Sequence, residues 1–168
     1  ITLTSSQNSN QGLETNVINS DLIFSNLDVQ GFGSEQVKIE SNACSTCTIT
    51  FQNSTISNAS SDNEWGIYSS STALMILDNT TVSHNANNPS VRKTYQTGGI
   101  YSQNLIIKNS NVSNNYYFQN SASYSGLNTM DIDCYGIKSG YLLEIHNSTI
   151  ANNCVRTLVT TGYYVDGI

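Results

Sequence analysis

The sequence has little charge, one proline and no long hydrophobic run. Of its 168 residues 11% are charged, Lys and Arg number six, and Pro89 is the single proline. The net charge is −6, and no basic stripe is available to neutralise phosphates, so we expect no nucleic-acid partner. No apolar run approaches the roughly 20 residues that span a bilayer, and no signal peptide is present, so this segment is not expected to cross a membrane.

Polar uncharged residues are abundant in place of charged ones. Asn, Ser and Thr together make up 65 of the 168 residues. High polarity with low charge is typical of disordered segments. Here the apolar residues are regularly spaced, which indicates order instead, and the length suits one domain over residues 1–168.

A phrase of the form apolar-x-apolar-x-Asn-x-x-[Ile/Val] occurs five times. Its copies begin at Leu22, Ile49, Met75, Leu105 and Leu143. A second phrase, x-Ile-x-Ser, precedes each copy. Its isoleucines are Ile18, Ile39, Ile67, Ile100 and Ile137, and Gly167-Ile168 starts a sixth copy. A repeat of this period indicates a stack of units, and apolar residues at every second position indicate strands.

Each unit holds three short strands, and pairing each strand with its equivalent in the next unit makes a parallel β-helix, an all-β solenoid. The Asn that ends the second strand suits a tight bend, because Asn tolerates left-handed backbone. Leu105, Ile107 and Asn109 share parity and are predicted to point inward. The bend residues would then form an inward ladder: Asn26, Asn53, Asn79, Asn109 and Asn147. Asp78 and Lys108 share an outward slot and should be neighbours.

The Asn ladder resembles that of the right-handed, pectate-lyase-like β-helix superfamily. Gly98-Gly99-Ile100-Tyr101 and Val112-Ser113-Asn114-Asn115 resemble the GGA[I/L/V] and FxxN repeats of chlamydial polymorphic outer-membrane proteins. Asn85 and Asn153 hold the place of the last Asn in other repeats, whereas Ala59 departs from the pattern. The resemblance implies a right-handed helix of about five to six coils. The pattern is already under way at Ile1-Thr-Leu3 and continues to Ile168, so we expect a segment of a longer protein.

The loops between the third strand and the next first strand vary in length, and tyrosines collect there. In repeat proteins such insertions often mark the binding face, and aromatic rings with polar tips suit sugar or protein contacts. The alternative is that the loops fold their tyrosines over the helix to cover it. The candidate binding residues are Tyr68, Tyr101, Tyr95, Tyr116, Tyr117, Tyr124, Tyr163 and Tyr164.

The four cysteines are Cys44, Cys47, Cys134 and Cys154, and an even number in such a chain favours an oxidising, extracellular setting. Four cysteines allow three pairings, of which Cys44–Cys47 with Cys134–Cys154 is the one that we expect. A zinc site at Cys44-x-x-Cys47 would need two further ligands nearby, so we predict no metal.

Neither a catalytic site nor a cofactor is predicted. Asp131 and Asp133 could bind calcium or act as acid and base, but solvated loop acids are more common. His84 and His146 occupy variable slots, and the acid and Arg-Lys patterns of polysaccharide lyases and polygalacturonases do not occur. Among the Asn-x-Ser/Thr sequons, Asn58 and Asn111 are the more plausible glycan acceptors, since the others coincide with the predicted inward ladder.

The sequence therefore favours a non-catalytic structural or adhesive segment, located outside the cell or at its surface, that presents Tyr-rich loops. It would belong to a surface protein or a fibre-forming subunit. Its partners would be further coils, other domains or copies of itself, with a carbohydrate or a surface protein as a possible ligand. The alternative functions are a carbohydrate-active enzyme fragment, or a phage or surface carbohydrate-binding module. A cluster of two acids and a base on one face would favour the enzyme.

Overall fold

The computed structural model describes residues 2–4, 12–15, 20–40, 44–59, 65–85, 97–115, 117–119, 134–153 and 155–157. These residues form strands, turns and bends, with no helix among them. The strands are β1 (Thr2–Thr4), β2 (Leu13–Thr15), β3 (Leu22–Ser25), β4 (Asp28–Gln30), β5 (Val37–Ile39), β6 (Thr48–Gln52), β7 (Thr55–Ser57), β8 (Trp65–Ser69), β9 (Leu74–Asp78), β10 (Thr81–Ser83), β11 (Thr97–Lys108), β12 (Asn111–Ser113), β13 (Tyr117–Gln119), β14 (Cys134–His146), β15 (Thr149–Ala151) and β16 (Val155–Thr157).

Third strands of successive repeats pair with one another in parallel. Their order in one sheet is β1-β4-β7-β10-β12-β15. Each apolar centre faces the next in register, in a row made of Leu3, Val29, Ile56, Val82, Val112 and Ile150. The chain is therefore all-β with parallel pairing between repeats, as predicted.

First and second strands form a second parallel sheet. Its order is β2-β5-β8-β11-β9-β6-β3, with β14 paired to β11. In β11 and β14 the first and second strands of a repeat run on as one strand, with a register shift between Ser102 and Asn104. Lys108 pairs with Asp78 in register, so the predicted neighbours are confirmed.

Inward apolar residues of all three strands meet in one core. Leu105, Ile107 and Val112 are fully buried, as predicted. Phe24 and Phe51, from the second strands of consecutive repeats, stack with ring centroids 5.0 Å apart. The other fully buried apolar side chains among the described residues are Val29, Val37, Ile39, Ile49, Phe51, Ile56, Ala59, Ile67, Ala73, Met75, Leu77, Val82 and Ile100.

The predicted register of the first strands is wrong at the N-terminal end. Val37, not Ile39, pairs with Ile67, and Ile39 pairs with Ser69. In the repeat before, Leu13 pairs with Val37, whereas Ile18 lies outside the described residues. Val37 and Ile39 both point inward, because a shift of two positions keeps every side chain on its face. Alternation alone therefore could not distinguish the two registers. From Ile67 onward the predicted alignment with Ile100 and Ile137 is confirmed.

The bend asparagines adopt the left-handed conformation, but their side chains are exposed. Their φ angles lie between 46° and 53° at Asn26, Asn53, Asn79, Asn109 and Asn147. The predicted inward ladder is wrong, because a left-handed residue breaks the strand alternation and gives the inward position to the residue after it. Asn79 Nδ2 still donates to Asn53 Oδ1 over 2.7 Å, and Asn147 Nδ2 to Asn109 Oδ1 over 2.8 Å. Asn109 Nδ2 donates to Asp78 Oδ1 instead of to Asn79.

The inward position after each bend carries a hydroxyl in four of the five repeats. These residues are Ser54, Thr80, Ser110 and Ser148, and Leu27 holds the place in the first. The backbone N of Thr80 donates to Ser110 Oγ over 3.0 Å, and the backbone N of Ser110 donates to Ser148 Oγ over 3.1 Å. The hydroxyls thus connect successive repeats along the edge of the core.

A second left-handed corner follows the third strands from β4 onward and, in the later repeats, precedes a buried Asn column. Gly31, Asn58, His84, Asn114 and Asn152 have φ between 52° and 79°. The next residue in the later repeats is Asn85, Asn115 or Asn153. Asn85 and Asn115 are fully buried. Asn85 Nδ2 donates to Asn115 Oδ1, and Asn115 Nδ2 to Asn153 Oδ1, both over 2.9 Å. This column is the inward Asn ladder of the chain.

Candidate functional site

One outward column of the first strands carries charged and aromatic side chains. Strand pairing places Glu14 beside Lys38, Lys38 beside Tyr68, Tyr68 beside Tyr101, and Tyr101 beside Lys138. Neighbouring strands lie about 4.8 Å apart, so these side chains form a row along the stack. We call this row, from Glu14 to Lys138, the tyrosine row.

The two tyrosine rings of the row stack on each other. The Tyr68 and Tyr101 centroids are 5.1 Å apart and the ring planes differ by 17°. Lys138 Nζ lies 6.0 Å from the Tyr101 centroid, and the Trp65 ring packs against Tyr101 at a tilt. Gln103 Nε2 donates to Tyr101 Oη over 2.9 Å. The facing sides of these rings therefore contact protein, and the row presents ring edges and hydroxyl groups outward.

Carboxylates surround the Lys38 end of the row. Lys38 Nζ lies 2.8 Å from Glu40 Oε1. The hydrogen bond to Glu40 is the main cause that raises the pKa of Lys38, with further contributions from Glu35 and Glu14. The pKa of Tyr68 is also raised, first by burial and then by Tyr101 and Glu40. Both shifts favour a protonated ammonium, bound to Glu40, beside a neutral phenol.

Two of the eight candidate tyrosines, Tyr68 and Tyr101, therefore come together. Tyr117 lies in β13, with only its backbone described. Outside the described residues lie Tyr95, Tyr116, Tyr124, Tyr163 and Tyr164. Sequence reasoning did not assign Lys38, Lys138 or Gln103 to this face. The sequence signal for this face is the position directly after the first-strand Ile, which holds Tyr68, Tyr101 and Lys138.

Part of the variable loop region is itself stacked. β13 follows Asn115 closely and β16 follows Asn153, and the two strands pair in parallel. In the backbone register Tyr117 pairs with Val155 and Gln119 with Thr157. The repeat-to-repeat pairing thus extends into two of the predicted insertions.

The first of the two predicted disulfides, Cys44–Cys47, is confirmed. Cys44 and Cys47 form a disulfide with an S–S distance of 2.05 Å. It closes the turn between β5 and β6, in which the backbone N of Cys47 donates to Cys44 O. The proposed Cys134–Cys154 pair lies outside this description, because Cys154 is not described and Cys134 only in its backbone.

The exposed corners change the ranking of the sequons. Asn58 is exposed, as expected of a glycan acceptor, whereas Asn111 is half-buried and its Oδ1 is buried without a partner among the described residues. Asn53, Asn79 and Asn147 are exposed. The prediction that the side chains of these three residues point inward, which made Asn58 and Asn111 the more plausible glycan acceptors, is therefore wrong.

The acids and histidines considered from the sequence do not meet in the described part of the chain. Asp131 and Asp133 lie outside it; His84 occupies an exposed left-handed corner; His146 Nε2 lies 3.2 Å from Glu144 Oε2. Over the described ranges no three His, Cys, Asp or Glu side chains group as metal ligands would. The same ranges contain no helix of the length and apolarity that a membrane crossing needs.

The chain has no match to a protein-family model, a curated protein or a solved structure. The fold and the tyrosine row of this chain are therefore defined by the contacts of its own residues.

Proposed function

We propose that this chain is a right-handed parallel β-helix of about five to six coils that serves as a non-catalytic structural or adhesive segment of an extracellular or cell-surface protein. Right-handed crossover is the strong preference for parallel strands joined in one sheet. The sixth coil would begin at Gly167-Ile168, and the domain would span residues 1–168.

The observation that carries the proposal is the continuity of the columns. The apolar row from Leu3 to Ile150, the hydroxyl column and the buried Asn column all run from repeat to repeat in one register. Hydroxyl and amide groups of one unit bond to those of the next, as expected of a solenoid whose units contact only their neighbours. Such a stack is suited to being a stiff scaffold.

An oxidising location is supported by the Cys44–Cys47 disulfide. Disulfides persist in extracellular compartments and are rare in reducing ones. An adhesive surface is supported by the tyrosine row, where the ring edges and hydroxyl groups of Tyr68 and Tyr101 face outward. A carbohydrate or a surface protein would contact these rings edge-on, because the facing sides of Tyr68 and Tyr101 are in mutual contact.

A screen against acidic and neutral polysaccharides tests the proposal. We expect no release of reducing or unsaturated ends, and retention of the protein on any glycan that it binds. Retention should fall for Tyr101→Ala and stay unchanged for Tyr141→Ala, a tyrosine that is 82% exposed and outside the tyrosine row. Robust cleavage that disappears in an Asp131→Asn, Asp133→Asn double variant, and persists in Asp78→Asn, would establish the carbohydrate-active enzyme instead.

A further inference from the structure

Three of the Asn-x-Ser/Thr sequons lie at the exposed left-handed bends. They begin at Asn53, Asn79 and Asn147, and each has Thr as its third residue. The three Asn side chains are exposed, and the positive φ of each fixes the direction in which its amide leaves the stack. We call the edge formed by the bend asparagines, from Asn26 to Asn147, the bend corner.

The fold turns both recognition groups of these sequons outward. A sequon consists of the acceptor Asn and a hydroxyl residue two positions later. At the bends the residue between them is the inward one, as with buried Ser54 between exposed Asn53 and exposed Thr55. Thr81 and Thr149 hold the same register position as Thr55, the first half-buried and the second exposed. The bend sequons therefore present acceptor and hydroxyl on one side of the chain.

The Asn111 sequon has the opposite arrangement. Asn111 Oδ1 is buried, and Ser113, the hydroxyl residue of this sequon, is buried as well. Asn111 also stands within the third-strand sheet, where it pairs with Thr81 on one side and Thr149 on the other. A bulky glycan on its amide would have to displace packed neighbours. The folded chain therefore does not accept a glycan at Asn111.

Adjacent positions of the bend corner are too close for two glycans. Asn53 and Asn79 belong to consecutive repeats, and Asn79 Nδ2 lies 2.7 Å from Asn53 Oδ1. Paired strands are about 4.8 Å apart, and a pyranose ring with its substituents is wider than that spacing. Asn147 lies two repeats beyond Asn79, because Asn109, which starts no sequon, stands between them. Its glycan has room that a second glycan on the first pair lacks.

We propose that the bend corner is an N-glycosylation site, with one glycan at Asn147 and one at either Asn53 or Asn79 of each chain. In the transfer, Asn Nδ2 loses a proton and bonds to the anomeric carbon of a lipid-linked oligosaccharide diphosphate. The bond from that carbon to the diphosphate oxygen breaks, the lipid diphosphate leaves, and the proton passes to solvent. This inference rests on the extracellular location proposed above.

The hydrogen bonds along the bend corner are compatible with the modification. Asn79 Nδ2 donates to Asn53 Oδ1, and Asn147 Nδ2 donates to Asn109 Oδ1. A primary amide has two N–H groups, so a substituted Nδ2 keeps one donor for this bond. The glycan replaces a hydrogen atom at an exposed edge and leaves the core packing unchanged.

Secretion of the chain from a eukaryotic cell, with a cleavable leader added, tests the proposal. The transferase acts before the chain folds, so the secreted, folded protein shows which glycans the fold accepts. Enzymatic release of the glycans in heavy-oxygen water converts each glycosylated Asn to labelled Asp. Trypsin, which cleaves after Lys and Arg, then separates the acceptors: 39–92 contains Asn53 and Asn79, 109–138 contains Asn111, and 139–156 contains Asn147. We expect label at Asn147, label at Asn53 or Asn79 but not at both on one fragment, and none at Asn111.

Thr81→Ala tests the pair without changing the left-handed Asn79. The variant removes the hydroxyl of the sequon, so label at Asn79 should disappear. Label at Asn53 should rise, because its neighbour no longer competes. Thr81→Ser is the matched control, since it keeps the hydroxyl and should keep the label at Asn79.

Asn111→Thr tests the geometry of the corner in the other direction. Asn111 holds the register position of Thr81 and Thr149, so the variant gives Asn109 a sequon of the same form as theirs. Asn109 should gain label at the expense of its two neighbours on the bend corner. A gain at Asn109 with no loss at either neighbour would contradict the crowding on which the proposal depends.

Two results for the wild type would overturn the proposal. One is a secreted, folded chain whose bend corner carries no label. The other is a chain whose fragment 39–92 carries label at Asn53 and Asn79 together. Because the assay supplies the leader, either result leaves the structural or adhesive function standing. That function fails separately, by cleavage of a polysaccharide in the screen described above.

Discussion

Asparagine serves two purposes in this chain, and the backbone decides which. At the bends, Asn109 and its equivalents supply positive φ, and their amides bond along an exposed corner. After the third strand, Asn115 has its amide inside the stack, where Oδ1 accepts from the N and Nδ2 of Asn85 and Nδ2 donates to Val82 O. A bend asparagine such as Asn109 can be replaced by any residue that tolerates positive φ. A buried asparagine such as Asn115 cannot, because its amide makes hydrogen bonds inside the stack.

Asn115→Ala should destabilise the protein strongly. It leaves the backbone N and Nδ2 of Asn85 without their acceptor in the core, and each buried group without a partner costs about 1–3 kcal/mol. Asn109→Gly is the matched control, since Gly adopts positive φ readily and the lost hydrogen bonds are exposed. It should cost less than about 1 kcal/mol. Urea unfolding measures both. Equal losses for the two variants would contradict the assignment of the buried column.

His84 stands in a left-handed corner where its equivalents are Asn58, Asn114 and Asn152. Asn is the residue that most readily adopts this conformation after Gly. His84→Asn should therefore raise the free energy of unfolding by up to about 0.5 kcal/mol, as small compatible backbone changes do. His146→Asn, in a strand, is the control and should give no gain. A loss of stability at His84→Asn would argue against the left-handed corner.

At the scale of the strand, a glycine and an asparagine of the same repeat pack closely against each other. A Cβ on Gly99 would lie 2.7 Å from Asn115 Nδ2 and 2.6 Å from the backbone O of Gly136. The same arrangement recurs at Gly66 with Asn85 and at Gly136 with Asn153. The Gly before the first-strand Ile and the Asn after the third strand are thus parts of one contact, although they lie at opposite ends of a repeat.

Gly99→Ala should cost about 1–3 kcal/mol, because neither the Gly136 carbonyl nor the bonded Asn115 amide can move away freely. Gly140→Ala is the matched control: its Cβ would meet Gln103 Oε1, the far end of a flexible side chain that can rotate aside. Thermal unfolding of both variants measures the difference. If Gly140→Ala proves as damaging as Gly99→Ala, the close packing of Gly99 against the buried Asn column is not what makes it essential.

The tyrosine row should make stability fall at alkaline pH. The folded pKa of Tyr68 is raised above 10.0 and that of Lys38 above 10.5, so the folded state holds both protons more tightly than the unfolded state. This contribution is complete below the unfolded pKa values and is lost as pH rises through the folded ones. Tyr68→Phe should reduce the loss of stability between neutral pH and pH values above 10, as urea unfolding at each pH would measure. Tyr141→Phe is the control, and an unchanged pH dependence in Tyr68→Phe would contradict the shift.

The second and third strands could be predicted from the sequence because apolar-x-apolar-x-Asn fixes both the face and the end of a strand. Val112 and its register partners follow directly from that spacing. The first-strand register could not be predicted, since Val37 and Ile39 are equally apolar and share a face. The outward orientation of the Asn109 side chain was also mispredicted. The inward and outward alternation of a strand does not continue through a residue whose backbone is left-handed. Asn115 was visible in the FxxN phrase, but nothing local in the sequence shows that its amide reaches the next repeat.

At the scale of the molecule, every described unit contacts the one beside it, because strands, hydroxyl groups and buried amides of one repeat pair with those of the next. Leu143 and Ile145 are 45% and 42% exposed, whereas their register partners Leu105 and Ile107 are fully buried. The periodicity accounts for the core and for the tyrosine row.

Nuclear Overhauser contacts in isotope-labelled protein test the repeat-to-repeat register most directly. We predict that the Val112 methyl groups contact those of both Val82 and Ile150. The Asn115 side-chain amide should contact those of Asn85 and Asn153 and exchange slowly with solvent. The Asn109 side-chain amide should exchange fast. Contacts of Val112 with only one of the two repeats, or fast exchange at Asn115, would contradict the stacked parallel register on which the whole account depends.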